Sequence, residues 1–553
     1  MTNNNSIADL GRAPFSRFGS WMVMGHRSGN RLILKNVHNR GQDLFLLIPM
    51  ADGKALDYKL TMAATLLTLE TEHGNVEFCF ESADTLRVKG TGVSLDMACM
   101  IPAVAYSESS AYATFNFRPA LRRYQIETLA GRSTMRGRYI RGNKETPGLL
   151  VEPGEDGVWE LAIDEFWSTW KRPDRKAFAR CLETAAVEFE GFVNSMPQAP
   201  AYLRKAHRLA SYVNWASTVA PCGLFKRHTL LMSKKIMTAV WSWDQCFNAM
   251  ALAGGQDDLA MDQMLLLVDH QDEVGSYRDA IDDIGIHYNY SKLPVHGWIF
   301  ASMLETMKEQ PNAVTMITMY ESLSRQADWY MTYRRKEGSE LPYYLHGNDG
   351  WDNSTMFELG VPLEAPDLAA LLVVQMDVLA ELCPKVGKPD DQPRWRERAN
   401  RLFDALMKEL WQGDHFAARL ANEHTFVPNC SLIPWLTAIL GKRLPVDVRA
   451  CMKKGIESHL TEWGLATEHP ESLKYESDGY WRGPIWAPST YIAVCGMERC
   501  GYPDLAREIA KRFCAMCDRS GFAENFDAIT GAPLRDPAYT WTSSVFLLML
   551  KRL

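Results

Sequence analysis

Nowhere in these 553 residues is there a long basic block, and the formal net charge is −7 with a pI near 6.1. Nothing therefore draws the chain to nucleic acid or to an anionic membrane. Long apolar runs are missing too: LFLLI at Leu44 to Ile48 is far short of a bilayer span. The opening MTNNNSIADLGRAPFSRFGS lacks a cationic patch followed by an apolar core, so no leader is read there and a cytoplasmic protein is expected. Cysteine is present, twelve residues, but scattered through apolar patterns as reduced core thiols would be. The one CxxC, Cys514 and Cys517, lies in the helical pattern DLAREIAKRFCAMCDR with no further Cys or His pair at ligand spacing. A structural role is read there in preference to zinc or redox chemistry. The DxxDD of Asp279 to Asp283 lacks the glycine and closing glutamate of an EF-hand loop, so no metal is expected, and no cofactor. Asp282 and Asp283 read as a solvated turn or helix cap.

What is there is a globular composition, 46% hydrophobic and 23% charged, long enough for two or more domains. Two textures divide it. Up to about residue 195 apolar and polar residues alternate: Val76, Phe78 and Phe80 against Glu77 and Glu81, then Trp159, Leu161 and Ile163. This predicts an antiparallel β-sandwich domain over 1–195. From about residue 199 the period becomes helical, and twelve segments can be counted, with starts near Ala199, Ser242, Asp257, Pro294, Asn312, Ala365, Gln392, Asn429, Pro445, Gly483, Pro503 and Tyr539. Short and long connections alternate between them. Six helical hairpins with tight turns at one end and long loops at the other predict an (α/α)6 barrel, an α/α toroid, over 196–553. A solenoid of hairpins would give the same count.

The long loops then share one mouth, and their contents are distinctive. They carry WSWDQCFN with Trp243 and Asp244, then KLPVHGW with His296, then HGNDGWDNS with Asp349, Trp351, Asp352 and Asn353. ESDGYWRGPIW follows with Asp478, Tyr480, Trp481 and Arg482, and GFAENFDAITG with Glu524 and Asp527. Aromatic rings pack on the apolar face of a pyranose while carboxylates, amides and arginine take its hydroxyls, so a small carbohydrate is the expected partner. Each tryptophan also has a core reading in a chain of seventeen, and His296 that of a satisfied buried donor. Cleavage of a glycosidic bond needs two carboxyl groups across it. The residues alone leave several pairs open among Asp244, Asp349, Asp352, Asp478, Glu524 and Asp527.

In that order and at roughly that spacing, WSWDQCFN, KLPVHGW, GWDNS, GYWRGPIW and GFAENFDAITG resemble glycoside hydrolase family 63 and its relatives, trehalases included, over about 240 to 552. The resemblance implies an (α/α)6 catalytic barrel and an inverting, exo-acting α-glycosidase, an α-glucosidase above all, acting on short α-glucosides or small glycosides. By similarity Asp352 would be the general acid and Glu524 the general base. Trp243, Asp244, Trp481 and Arg482 would line the pocket of the cleaved sugar, with Trp351, Asn353 and His296 beside them. The subgroup that cleaves glycerate glycosides tends to carry proline and arginine after DNS, where this chain has Thr355 and Met356. Many relatives have a glutamate before the Gly-Trp-Asp segment, where Asn348 and Asp349 stand here, which keeps Asp349 as a rival acid. Other reactions on such a barrel are an α-L-rhamnosidase-like hydrolysis, or a lyase or epimerase with His287 or His296 as base.

Overall fold

A computed structural model describes residues 6–28, 31–137, 146–428 and 430–553. The chain divides into two compact units, one of residues 1–194, 211–239 and 282–285, the other of 195–210, 240–281 and 286–553. The first unit thus takes in two later excursions of the chain besides its N-terminal stretch.

Two antiparallel sheets build the first unit. One runs in the order Met22–Arg27, Arg31–Asn36, Gln42–Ala51, Ser94–Cys99, Gly148–Glu152, Arg132–Arg136. The other runs Ala103–Ser109, Tyr112–Phe117, Arg122–Ala130, Val158–Phe166, Thr85–Thr91, Asn75–Ser82, Leu67–Glu70, Lys59–Met62. Phe45 of the first sheet meets Phe115 and Phe117 of the second edge-on, with ring centroids 5.0 and 5.1 Å apart, so the inward residues of both sheets share one core. The strand texture does not extend to residue 195. Helix α1, Phe178–Ser195, closes this stretch, because Phe178, Cys181, Ala185, Phe189 and Phe192 recur at helical spacing and are the residues it buries.

Helix α2, Arg204–Ser217, is followed in the second unit by α3 (Ser242–Leu252), α4 (Asp257–Asp269), α5 (His296–Thr306), α6 (Ala313–Tyr333), α7 (Pro366–Leu382) and α8 (Gln392–Glu409). Then come α9 (Val446–Ser458), α10 (Ala487–Cys500), α11 (Pro503–Ser520) and α12 (Thr540–Leu550). Between α8 and α9 the chain makes tight 3-10 turns over Ile433–Arg443, broken at Gly441 with φ 58°. The helix start expected at Asn429 lies outside the described residues. Every residue of α3 and α12 is buried, whereas α8 buries one stripe, Trp395, Ala399, Leu402, Ala405 and Leu406. This separates inner helices such as α3 and α12, buried on every side though they carry polar residues, from outer ones such as α8 that are amphipathic. The inner set touches in sequence: α3 with α5, α5 with α7, α7 with Ile433–Arg443, that segment with α10, α10 with α12, and α12 with α3. Among the described residues no helix is long and apolar enough to cross a membrane. Cys514 and Cys517 are buried on α11.

Candidate active site

The loop between α6 and α7 is organised by its own polar residues. His346 Nδ1 accepts the Asn348 N–H at 2.9 Å, and the Asp349 carboxylate accepts the N–H groups of His346 and Leu345 at 3.2 and 3.0 Å. Asp349 also accepts from the Ser291 N–H at 2.9 Å and lies 3.3 Å from Arg334. Both its oxygens are engaged in holding the turn. Two glycines let the chain pass: a Cβ on Gly347 would stand 1.6 Å from the Asp352 carbonyl oxygen, and one on Gly350 1.7 Å from a Leu293 methyl. Asp352 then adopts φ 23°, a left-handed backbone that aspartate tolerates better than most residues. Tyr480 and Arg535, in the next two site loops, also have positive φ, at 63° and 65°. Strained backbone of this kind persists where surrounding structure holds a side chain in place.

Three largely buried carboxyl groups in these loops show a hydrogen bond at one oxygen only. The Trp481 indole N–H donates to Asp352 Oδ2 at 3.0 Å. Its neighbour Tyr480 donates its hydroxyl to Glu524 Oε1 at 3.2 Å. Tyr539, entering α12, donates to Asp244 Oδ1 at 3.3 Å, and Asp244 Oδ2, buried in the first turn of α3, has no partner. Burial, and then the neighbouring Asp536, push the Glu524 carboxyl up to about 7. Burial raises Asp244 to about 8, opposed by Lys292. Asp352 is raised by burial too, against the pull of Lys292 and of the Trp481 N–H. Of the other acids, Asp478 pairs with Arg535 at 2.8 Å, and Asp527 caps its own turn through the Ile529 N–H and Thr530.

The tryptophans form one cluster rather than separate platforms. The Trp243 ring, at the start of α3, lies 5.5 Å from Trp351, 6.3 Å from Trp481 and 5.3 Å from Trp541. Trp481 stacks on Trp486 at 4.3 Å and 5°. Trp351 donates its N–H to Asp367 at 2.8 Å and is fully buried beneath the loop. Asn353 gives both ends of its amide to the neighbouring loop, accepting the Trp481 N–H and donating to the Gly479 carbonyl, each at 3.0 Å. Arg482 donates to the Asn353 carbonyl at 2.9 Å. These bonds lock 353 to 479–482 and so aim Asp352, Tyr480 and Trp481 together. His296 makes none of these bonds: it stacks on Tyr277 at 4.3 Å, its Nδ1 bonds Gln326 at 3.1 Å, its Nε2 is buried without a hydrogen-bond partner, and burial lowers it to about 3, leaving a neutral ring. Tyr539, Trp541 and Lys292 were not singled out by the sequence. The only available signal was their position beside the loop acids.

Asp282 and Asp283 are not a solvated turn. Both are buried in the first unit, Asp282 bonded to Arg40 at 2.6 Å and Asp283 to His38 Nδ1 at 2.8 Å. His38, Cys222 and Asp283 lie close enough to ligate an ion. However, His38 Nε2 is taken by Glu165 at 2.8 Å and the Arg122 guanidinium lies 2.8 Å from Cys222 Sγ, so the set is an ion-pair network with a cation already in it.

A family model described as the mannosylglycerate hydrolase MGH1-like glycoside hydrolase domain matches residues 237–542, more than half of the chain. The chain is 23% identical over 401 residues to a mannosylglycerate hydrolase of Rubrobacter radiotolerans, covering 56% of this chain and 89% of that protein. It is 30% identical over 204 residues to a glucosylglycerate hydrolase of Mycolicibacterium hassiacum, 32% and 42% of the two lengths. Among solved structures, the GH63 mannosylglycerate hydrolase from Thermus thermophilus, in complex with glucose, aligns with a TM-score of 0.53 at 16% identity. That alignment covers 61% of this chain and 98% of that one, a likeness of fold. With its matched segment spanning every loop that carries a site carboxyl, the chain belongs to the MGH1-like glycoside hydrolase family and is a glycoside hydrolase.

Proposed function

We propose that this glycoside hydrolase is an inverting, exo-acting α-glycosidase with Asp352 as general acid and Glu524 as general base, set at the mouth of a closed (α/α)6 barrel. The observation that carries the reading is that one dipeptide, Tyr480-Trp481, holds a carboxyl from each of two separate loops, Glu524 on one side and Asp352 on the other. The closed barrel is supported by the inner helices touching in succession from α3 round to α12 and back. In this mechanism Asp352 passes its proton to the glycosidic oxygen as the bond to the anomeric carbon breaks. Glu524 takes a proton from the water that attacks the opposite face, and the product sugar leaves with inverted configuration. Asp244, with an unpartnered buried oxygen, would take a hydroxyl of the same sugar.

For the substrate we propose α-glucosides, or the corresponding mannosides, of a small aglycone, glycerate among them. The names of the relatives support a glycerate aglycone. Arg535, over the Tyr480 ring, and Arg482 are partly exposed, paired with Asp478 and Glu358 respectively, and would offer their remaining N–H groups to the glycerate carboxylate. Thr355 offers nothing comparable, since it is buried and bonded to Glu468 at 2.7 Å. The test is a panel of glucosylglycerate, mannosylglycerate and α-linked disaccharides, read by released monosaccharide. Endo-type products from a long α-glucan would count against the exo reading. Anomeric proton NMR in the first minutes should show the β-sugar; an initial α-anomer or a glycosyl-enzyme on Glu524 would make the enzyme retaining.

A further inference from the structure

Lys292 lies among the acids of the site. It precedes α5 in a segment whose backbone is fixed by the Tyr330 hydroxyl, which donates to the Lys292 carbonyl at 2.8 Å. Its side chain is 8% exposed, an uncommon place for a lysine, and its ammonium reaches two other segments. It lies 3.1 Å from Asp279 Oδ1, on the loop whose backbone is tied to the start of α3 through the Ser242 N–H and the Asp279 carbonyl. It also donates to the Asn348 carbonyl at 2.5 Å, four residues before Asp352 in the loop that presents that acid. A lysine that served only as packing would have its amine in solvent.

We propose that Lys292 is a positioning residue for hydrolysis: its ammonium clasps the Asp279 loop to the Asp352 loop and is the cation set among Asp244, Asp279 and Asp352. This rests on the reading of Asp352 as the general acid. The groups that face Asp352 are Lys292 and His346, which favour its ionised form, the Trp481 N–H, which does the same, the carboxyls of Asp279 and Asp244, which oppose it when ionised, and the Tyr480 phenol, which burial and the neighbouring acids hold neutral. Without the clasp the Asp352 loop loses its tie to Asp279, and the donor loses alignment with the glycosidic oxygen. Without the lysine's charge Asp244, Asp279 and Asp352 lose the ammonium that favours their ionised forms, and Asp352 holds its proton to higher pH.

The experiment compares Lys292→Met, Lys292→Arg and Asp279→Asn by kcat, KM and pH–rate profile on an α-glycoside that the enzyme turns over. The Asp352 inflection is first identified as the one that Asp352→Asn removes when an activated aryl α-glycoside is the substrate. Lys292→Met is expected to lower kcat by about 10- to 100-fold with a smaller change in KM, as for a misplaced catalytic group. It should also move that inflection to higher pH. Asp279→Asn should move it the other way, to lower pH, and Lys292→Arg should restore most of the kcat lost in Lys292→Met. A merely structural lysine would lower stability without moving the inflection. The proposal is overturned if Lys292→Met keeps the wild-type inflection and kcat, or if Asp279→Asn moves the inflection upward; the second variant decides it should Lys292→Met not fold. If Asp352→Asn leaves the profile intact, it is the assignment of the acid that has failed, which is a distinguishable result.

Discussion

The indole N–H of Trp481 meets Oδ2 of Asp352 at 3.0 Å although 129 positions separate the two residues, and the Trp481 backbone N–H is held by Asn353, the residue after that aspartate. Donation to a carboxylate favours its ionised form, while burial favours the protonated one. Burial prevails at Asp352, which therefore keeps a proton to higher pH than a solvated aspartate while remaining tied to a rigid ring.

Asp352→Asn and Glu524→Gln are each expected to lower kcat by roughly 10² to 10⁴ while substrate binding survives. Activated aryl glycosides should partly restore Asp352→Asn, because a good leaving group needs little protonation, and should not restore Glu524→Gln. The reverse pattern in steady-state assays would exchange the two roles.

Tyr480→Phe removes the one hydroxyl that the structure shows donating to Glu524. That bond opposes burial and Asp536, which together still raise the carboxyl to about 7. A base works ionised, so if Glu524 is the base, as proposed, activity governed by it should be lost as pH falls through this value. The inflection near pH 7 should move upward in the variant. A pH–rate profile that keeps the wild-type inflection would remove Tyr480 from the site.

Asp349→Asn separates the rival acid from the favoured one. Its oxygens hold three backbone N–H groups and Arg334, so the variant is expected to lose about 1–3 kcal/mol of stability. It should keep far more turnover than Asp352→Asn. Denaturant titration and initial rates, measured on the same preparation, make the comparison. Equal loss of turnover in both variants would restore Asp349 as a candidate.

His38 in the first unit supplies a pH dependence of stability. Burial lowers its affinity for a proton, but Glu165 and Asp283 outweigh burial and raise the imidazole to about 10. Because this lies above the unfolded value of about 6.5, the stabilisation is fully present below that pH. It is lost as pH rises towards about 10. His38→Gln removes the imidazole bonds to Glu165 and Asp283 and leaves Arg122 as the cation beside them, and should cost about 1.5–3 kcal/mol, the usual size for hydrogen bonds to charged groups. Unfolding midpoints from pH 6 to pH 10 should fall in the wild type and stay flatter in the variant.

The change from strand to helical texture was legible because periodicity is a local property: a buried face repeats every two residues in a strand and every three to four in a helix. The same reasoning passed over α1, whose buried stripe from Phe178 to Phe192 is helical by spacing but stands alone after the strand of Val158–Phe166 and the irregular stretch 167–177. Asn353 and His296 were equally legible as polar residues in the right loops, yet their partners proved to be the Gly479–Trp481 backbone and a buried Tyr277–Gln326 pair. Residue type tells what a side chain can bond. It does not tell what lies within 3 Å of it.

By itself the sequence determined the two textures, the alternation of short and long connections, and the order in which acids and aromatic residues occur along the loops. These depend on neighbours a few positions apart. Only the tertiary structure decided how each carboxyl is engaged. It engaged both oxygens of Asp349 and of Asp527, left Asp478 exposed and paired with Arg535, and gave Asp244, Asp352 and Glu524 largely buried positions with a bond shown at one oxygen only. It also placed Lys292 between Asp279 and Asn348, residues 13 and 56 positions away that no local pattern connects. The reason is physical: a carboxyl's proton affinity and a lysine's role are set by burial and by charges within a few ångströms, and those come from segments far apart in the chain.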